Sequence, residues 1–279
     1  MLMQQRTIGP QPAIALVAFR HPRAQAWVLG CAGVVLALGC WTLMSHVLAG
    51  GGGVINRLPG PLAVVRELWD YFRGDLGIDL LSSLRVFLIG WIIGALCATL
   101  VGLMLRRNRL LGRIFLPIVE AIRPVSSIAW VPLSIVWFGF GISGKVFLVG
   151  LAVFLVVIVY AVDGSSRVPA DLERTASMLG MNGWQRFRSL ILPGTLGEVL
   201  IGSRVSLMAG WGTVIVAELV AADSGLGAHL ISVQQSYDLP KVMATMICFG
   251  LVGFLMNAGF SALERHLMPW REDAAELVP

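Results

Sequence analysis

Six long apolar stretches govern what this chain can become: Ala26–Leu48, Leu80–Leu105, Ile114–Phe140, Val146–Val162, Leu196–Ala221 and Val242–Leu263. A hydrocarbon layer ~30 Å thick is crossed by ~20 apolar residues in an α-helix. Inside that layer each backbone N–H and C=O must find its partner within the protein, which leaves helices or closed barrels. Composition agrees with helices in lipid. The 279 residues are 57% hydrophobic and 13% charged, against ~25% charged in soluble domains. The expected fold is all-α, a polytopic membrane protein of about six transmembrane helices. The expected organisation is a cytoplasmic N-terminal segment over 1–25, a transmembrane domain over 26–264 and a cytoplasmic tail over 265–279. The first apolar stretch exceeds the ~7–15 residues of a signal-peptide core, so it is expected to be a retained span.

The third stretch differs from the others. It carries Glu120, Arg123 and the prolines Pro117, Pro124 and Pro132. Each proline removes a backbone donor and bends a helix, and the freed carbonyls need protein neighbours in lipid. A bent or broken helix facing other helices is expected there.

Basic residues set the orientation. One set of connecting segments holds thirteen: Arg6, Arg20, Arg23, Arg106, Arg107, Arg109, Arg113, Arg167, Arg174, Arg186, Arg188, Arg265 and Arg271. The opposite set holds five: Arg57, Arg66, Arg73, Lys145 and Lys241. Both termini and the Asp163–Pro193 segment are therefore expected in the cytoplasm. The net charge of +5 lies in these short segments, the pattern of membrane topology and not of a nucleic-acid footprint. Cys31, Cys40, Cys97 and Cys248 fall in apolar stretches, and the four histidines are scattered. No metal-ligand spacing exists, and no catalytic set of nucleophile, base or metal is recognisable.

Gly139–Val146 reads GFGISGKV, close to two nucleotide-binding patterns. A phosphate loop ends in a Ser or Thr hydroxyl and sits between a strand and a helix. Here Val146 holds that position and the flanks are apolar spans, so a turn between helices is expected. With no other ATP site legible, ATP-driven work by this chain requires a partner.

The Asp163–Pro193 segment carries the most information. Pro169 suits a first helical turn, and Asp171 and Glu173 complement its dipole. Leu172, Ala176 and Leu179 recur at helical spacing, and Gly180 is a natural C-terminal stop. A second helix is expected from about Asn182, an N-cap residue, presenting Trp184, Phe187 and Leu190 or Ile191 and ending at Pro193. Thr195–Glu198 has the pattern of a capping box for the following span. A helix–glycine–helix unit with exposed apolar groups suits a knob in a partner's groove.

That segment resembles the cytoplasmic loop of bacterial ABC importer permeases, of the form EAA–x3–G–x9–I–x–LP. The frame is Arg174-Thr175-Ala176, Gly180, then Leu190-Ile191-Leu192-Pro193. Arg174 replaces the usual acid, Thr175 an alanine and Leu190 an isoleucine. Ala121–Gly139, Trp211–Glu218 and Ser224–Ala228 are similar to the nitrate, sulfonate, taurine and bicarbonate branch. The resemblance implies a type I importer permease fold in the bacterial inner membrane, with coupling helices in the loop 163–193. It implies a second permease copy, most simply an identical one, two cytoplasmic ATPase subunits that hold ATP and Mg, and a periplasmic substrate-binding protein. The chain itself is implied to bind no cofactor and to do no covalent chemistry. The ATPase-coupling residues implied are Arg174, Thr175, Ala176, Leu179, Gly180, Phe187, Leu190 and Pro193. An ion-coupled secondary transporter is the alternative; it gives the coupling pattern no use.

Charged and polar residues inside spans point to a translocation path, since such groups are costly in lipid and are paired or wet. The candidates are Arg123, Ser126, Ser127, Trp130, Arg204, Trp211, Thr213 and Glu218. Arg204, Trp211 and Glu218 are spaced by seven and share one slowly drifting stripe. Arg204 lies ~13 Å into its span and must meet a carboxylate, carbonyls, water or solute. Glu120 and Arg123 are spaced to pair. Arg85 and Glu218, near span ends, are placed to snorkel.

Overall fold

The computed structural model describes residues 22–49, 58–166, 169–220 and 224–268. The chain divides into two compact units, Met1–Pro61 and Leu62–Pro279. The first contains α1 (Pro22–Ala49), whose described apolar stretch is Ala32–Val47. Its Trp41 Nε1 donates to the Pro59 carbonyl at 3.1 Å. Arg6, Arg20, Arg57, Arg167 and Arg271 lie outside the described residues, as do most of the expected N-terminal segment and tail.

The second unit runs α2 (Pro61–Arg73), α3 (Leu76–Arg107), α4 (Arg109–Ile122), a 3₁₀ turn (Ser127–Trp130), α5 (Val131–Phe138), α6 (Ile142–Ser166), α7 (Ala170–Met178), α8 (Gly183–Arg186), a π turn (Phe187–Ile191), α9 (Leu192–Val220), α10 (Leu226–Gln235) and α11 (Leu239–Leu267). Among the described residues four helical stretches are long and apolar enough to cross a membrane: Leu76–Arg107, Ile142–Ser166, Gly183–Val220 and Leu239–Leu267. They coincide with four of the six expected spans. The third expected span is broken: Leu110–Ile122 and Ser127–Phe138 meet at 99°. Pro124 follows directly on the C-cap Arg123, and Pro132 stands in the first turn of α5. Pro124 and Pro132 thus stop one helix and start the next, while Pro117 lies inside α4 without ending it. Gly139, at φ 72°, ends α5, and α6 begins at Ile142. Of the nucleotide-like GFGISGKV sequence, residues 139–141 form the turn between helices and residues 142–146 open α6.

The core is the α3–α6–α9 contact, with Phe87, Val149, Val153, Val157, Ile158, Ala161 and Val214 buried. Gly90, Gly94, Ala98 and Gly102 recur every fourth residue on α3. A Cβ on Gly94 would collide with the Gly150 backbone. This close approach of backbones replaces the hydrophobic drive that lipid removes. Aromatic rings extend the core: Phe87 meets Trp211 edge-on at 5.7 Å, and Trp211 stacks on Phe249 at 4.3 Å. Helix α2, absent from the expected spans, is amphipathic, with Leu62, Val65, Trp69 and Phe72 exposed on one stripe and Val64 buried on the other side.

Pro193 does not end the second loop helix, contrary to expectation. The helix continues from Gly183 to Val220. The π turn over Phe187–Ile191, with the Leu192 N–H reaching the Phe187 carbonyl, widens the helix just before the proline. A wider turn accommodates the missing donor without a break. Thr195 consequently forms no capping box; its hydroxyl donates to the Ile191 carbonyl at 2.7 Å.

Candidate functional site: the coupling loop and the intramembrane polar groups

Helix α7 opens after Pro169, whose carbonyl accepts from the Leu172 N–H. Its first turn holds Asp171, which pairs with Arg174 at 3.3 Å and whose carbonyl accepts from the Thr175 hydroxyl. The helix ends in a Schellman motif. The Met181 N–H reaches the Ala176 carbonyl and the Gly180 N–H reaches the Ser177 carbonyl, both at 3.1 Å. This closure requires a left-handed residue at the turn, and Gly180 has φ 72°. Asn182 then opens α8 with a full capping box: its side chain accepts from the Gln185 N–H, and the Gln185 side chain accepts from the Asn182 N–H, both at 2.9 Å. Arg186 donates to Ser177 Oγ at 3.1 Å, tying α8 to α7.

The result is a braced helix–turn–helix whose apolar groups point outward. Met178 is 86% exposed, Leu179 75% and Trp184 65%. Ala176 is buried, and Phe187 and Leu190 are half-buried beside the π turn. Trp184 stacks on Phe187 at 5.7 Å. Pro193, exposed, sits within the continuous helix and not in the turn. Apart from Pro193, the coupling residues read from sequence fall on or beside this unit, with Met178 and Trp184 as its most prominent additional groups.

Arg204, Trp211 and Glu218 all lie on the continuous helix α9, but each meets a different neighbour. Glu218 does not snorkel: it is fully buried. Its carboxylate accepts from Ser83 Oγ (2.8 and 3.0 Å) and from the Gly227 N–H (2.8 Å). Ser83 Oγ in turn accepts from the Leu226 N–H at 2.9 Å. Glu218 thus clamps α9 to α3 and to the first turn of α10, with Gly225 and Gly227 lying against the carboxylate. Trp211 is buried and donates to the Phe249 carbonyl at 3.0 Å. Thr213 is buried and bonds the Ala209 carbonyl. Arg204 meets Glu264 at 3.2 Å and Asn257 at 3.4 Å, joining α9 to α11.

Arg123, Ser126, Ser127 and Trp130 are gathered at the break after α4. Arg123 and Ser126 are exposed, while Trp130 packs near Leu148 of α6 and Ala217 of α9. The Trp130 Nε1–H is buried without an acceptor. The expected Glu120–Arg123 ion pair is not formed. Both side chains are exposed and line a cavity of about 140 Å³ with Asp163; Arg123 keeps helical backbone angles at the C-cap of α4, and an exposed pair gains little from closing. Sequence reasoning missed Ser83, Gly227, Asn257 and Glu264 as partners. Only the Ser224–Ala228 motif, which contains Gly225 and Gly227, carried a signal for them.

The fold places the chain among multi-pass α-helical membrane proteins. Its residues 90–272 match the family described as the binding-protein-dependent transport system inner membrane component, and the chain belongs to that family. It is similar to the taurine transport system permease protein TauC of Escherichia coli (strain K12), at 33% identity over 76% of this chain and 80% of that protein. It is 29% identical, over 97% of this chain and 98% of the relative, to a putative aliphatic sulfonates transport permease protein, SsuC, of Bacillus subtilis (strain 168). The nitrate import permease protein NrtB of Synechococcus elongatus is 25% identical over 90% of this chain and 94% of its own length. A solved inward-facing MetNI methionine ABC transporter chain has the same fold, with a TM-score of 0.59 at 16% identity, covering 74% of this chain and 96% of that one. The chain is thus the membrane-spanning permease component of an ABC importer, of a family that works with ATPase and substrate-binding partners.

Proposed function

We propose that this permease carries a small oxyanion of the sulfonate or nitrate class into the cytoplasm, as a pair of identical copies driven by two ATPase subunits that bind ATP. The relatives that act on taurine, aliphatic sulfonates and nitrate support the solute class. The observation that carries the coupling role is the Schellman-closed turn at Gly180, which presents Met178, Leu179 and Trp184 as a rigid apolar knob. Such a knob fits a groove on a partner. In this reading a periplasmic binding protein delivers the solute, both termini and the loop 163–193 are cytoplasmic, and ATP-driven closure of the ATPases moves the knob.

For the path we favour the broken span. Arg123, Ser126, Ser127 and Trp130 combine an unpaired cation with hydroxyl and indole donors on irregular backbone. Irregular backbone is tolerated in a membrane where it lines a cavity, and cationic groups lower the barrier for anions. Arg204, neutralised by Glu264, serves helix packing, and Trp211, Thr213 and Glu218 act from inside the protomer.

The test is ATP-dependent uptake in proteoliposomes holding permease, ATPases and binding protein, with taurine, an alkanesulfonate and nitrate as probes. Uptake of at least one, dependent on the binding protein, is expected; uptake of none would remove the solute class. Orientation is read separately by single cysteines at Met178 and Gln235 in a background without the native four. An impermeant thiol reagent applied outside should label position 235 alone, and labelling at position 178 would invert the topology.

A further inference from the structure

Three guanidinium groups converge on one cavity at the ends of two spans. The cavity holds about 370 Å³. Leu103, Arg106 and Arg107, from the last turns of α3, line one part, and Arg186, Phe187 and Ile191, from α8 and the π turn, line another. Among the described residues no carboxylate lines it. None of the three arginines joins an ion pair among the described residues. Arg186 spends one N–H on Ser177, while its Nε and that of Arg106 are buried without an acceptor.

A guanidinium carries five donors and no acceptor. Three of them around one space repel one another and leave desolvated donors unmet, so the space fits a ligand rich in acceptors and negative charge. The planar fork matches the oxygens of a tetrahedral oxyanion, and phosphate above all. The height of the cavity points the same way. Leu103 and Ile191 belong to the spans Leu76–Arg107 and Gly183–Val220, so the cavity opens where helix ends meet lipid head groups. Basic pockets at that level suit anionic head groups. The apolar tip of the loop, at Met178, Leu179 and Trp184, does not line the cavity, which separates this space from the surface offered to an ATPase.

We propose that the cavity between Arg106, Arg107 and Arg186 binds a phosphate-class oxyanion, either the phosphodiester of an anionic lipid head group or a free phosphate ion, and so braces α8 against the end of α3. The bound anion neutralises charges that otherwise push α8 away from α3, and it links the coupling unit to a membrane span by charge-assisted hydrogen bonds. This inference rests on the cytoplasmic placement of the loop, which the labelling at position 178 tests independently.

The experiment uses the full permease assembled with its ATPases in nanodiscs. Amide hydrogen exchange of residues 183–191 is compared in phosphatidylcholine alone, with phosphatidylglycerol added, and in phosphatidylcholine with millimolar inorganic phosphate. At about ten times the dissociation constant, exchange should slow by about tenfold. Slowing by phosphatidylglycerol alone identifies the lipid as the ligand, and slowing by phosphate identifies the free ion; both support the site. In R106Q/R186Q the slowing should vanish while exchange of α6 stays as in the parent. Should that variant fail to assemble, R106K/R186K keeps the charge but loses the planar fork, and weaker slowing is expected. No slowing in the parent under any condition, or equal slowing in the variants, overturns the proposal and leaves the cavity as a contact for carboxylates of the ATPase.

Discussion

Gly180→Val should uncouple the importer without removing it from the membrane. Gly180 sits at φ 72°, where an L-residue costs about 1–2 kcal/mol. Nothing lies within 4 Å of a Cβ added there. The penalty is therefore backbone strain alone, with no steric clash to confuse it. A cost of about 1–2 kcal/mol lowers the ratio of native to altered turn by a factor of about 5–30. The apparent affinity for the ATPase falls with the competent fraction, so its dissociation constant should rise by up to the same factor. The assay is ATPase binding to the purified permease, together with binding-protein-stimulated ATP hydrolysis in proteoliposomes. Gly180→Asn provides the control, because asparagine tolerates the left-handed region. Expected losses run Val greatest, then Ala, then Asn. A series ordered by side-chain volume, with Asn worse than Ala, would refute the strain argument. Parental coupling in Gly180→Val would remove this turn as the coupling point.

The remaining predictions separate packing from path. Arg204→Gln removes the cation that pairs with Glu264 and joins α9 to α11; assembled complex should fall while uptake per complex stays constant. Arg123→Gln should do the reverse, lowering uptake per assembled complex several-fold at parental yield, and an unchanged ratio would remove Arg123 from the path. Glu218→Gln places an amide where the Ser83 hydroxyl and the Gly227 N–H both donate; a loss of about 1–3 kcal/mol should appear as a lower melting temperature in detergent. Gly94→Leu forces α3 and α6 apart at Gly150, so folded protein recovered from membranes should drop sharply, whereas Gly250→Leu on α11, with nothing within 4 Å of an added Cβ, should be tolerated.

Local order was legible in the sequence wherever one residue's own stereochemistry decided the outcome. Gly180 had to close a helix because only glycine enters the left-handed region at no cost, and Asn182 had to open the next because its short amide reaches the helix's free N–H groups. The prolines foretold the broken span for the same reason: a missing donor is a property of the residue itself. Apolar length likewise marked the four long spans. At Pro193 the local rule failed, since a π turn one residue upstream absorbed the proline.

Pairing across helices belonged to the tertiary structure. Spacing placed Arg204, Trp211 and Glu218 on one stripe of α9. The drift of that stripe carries them past different neighbours: Glu264 and Asn257 on α11, the Phe249 carbonyl, and Ser83 with Gly227. Glu120 and Arg123 had the spacing to pair, but both side chains are exposed, where an ion pair gains little. Arg106 and Arg186 are eighty positions apart in the chain and share a cavity only because α3 and α8 end together. A sequence states which groups must be satisfied; which group satisfies them depends on packing between helices distant in the chain, and in lipid that packing is set by close backbone contacts such as Gly94 against Gly150.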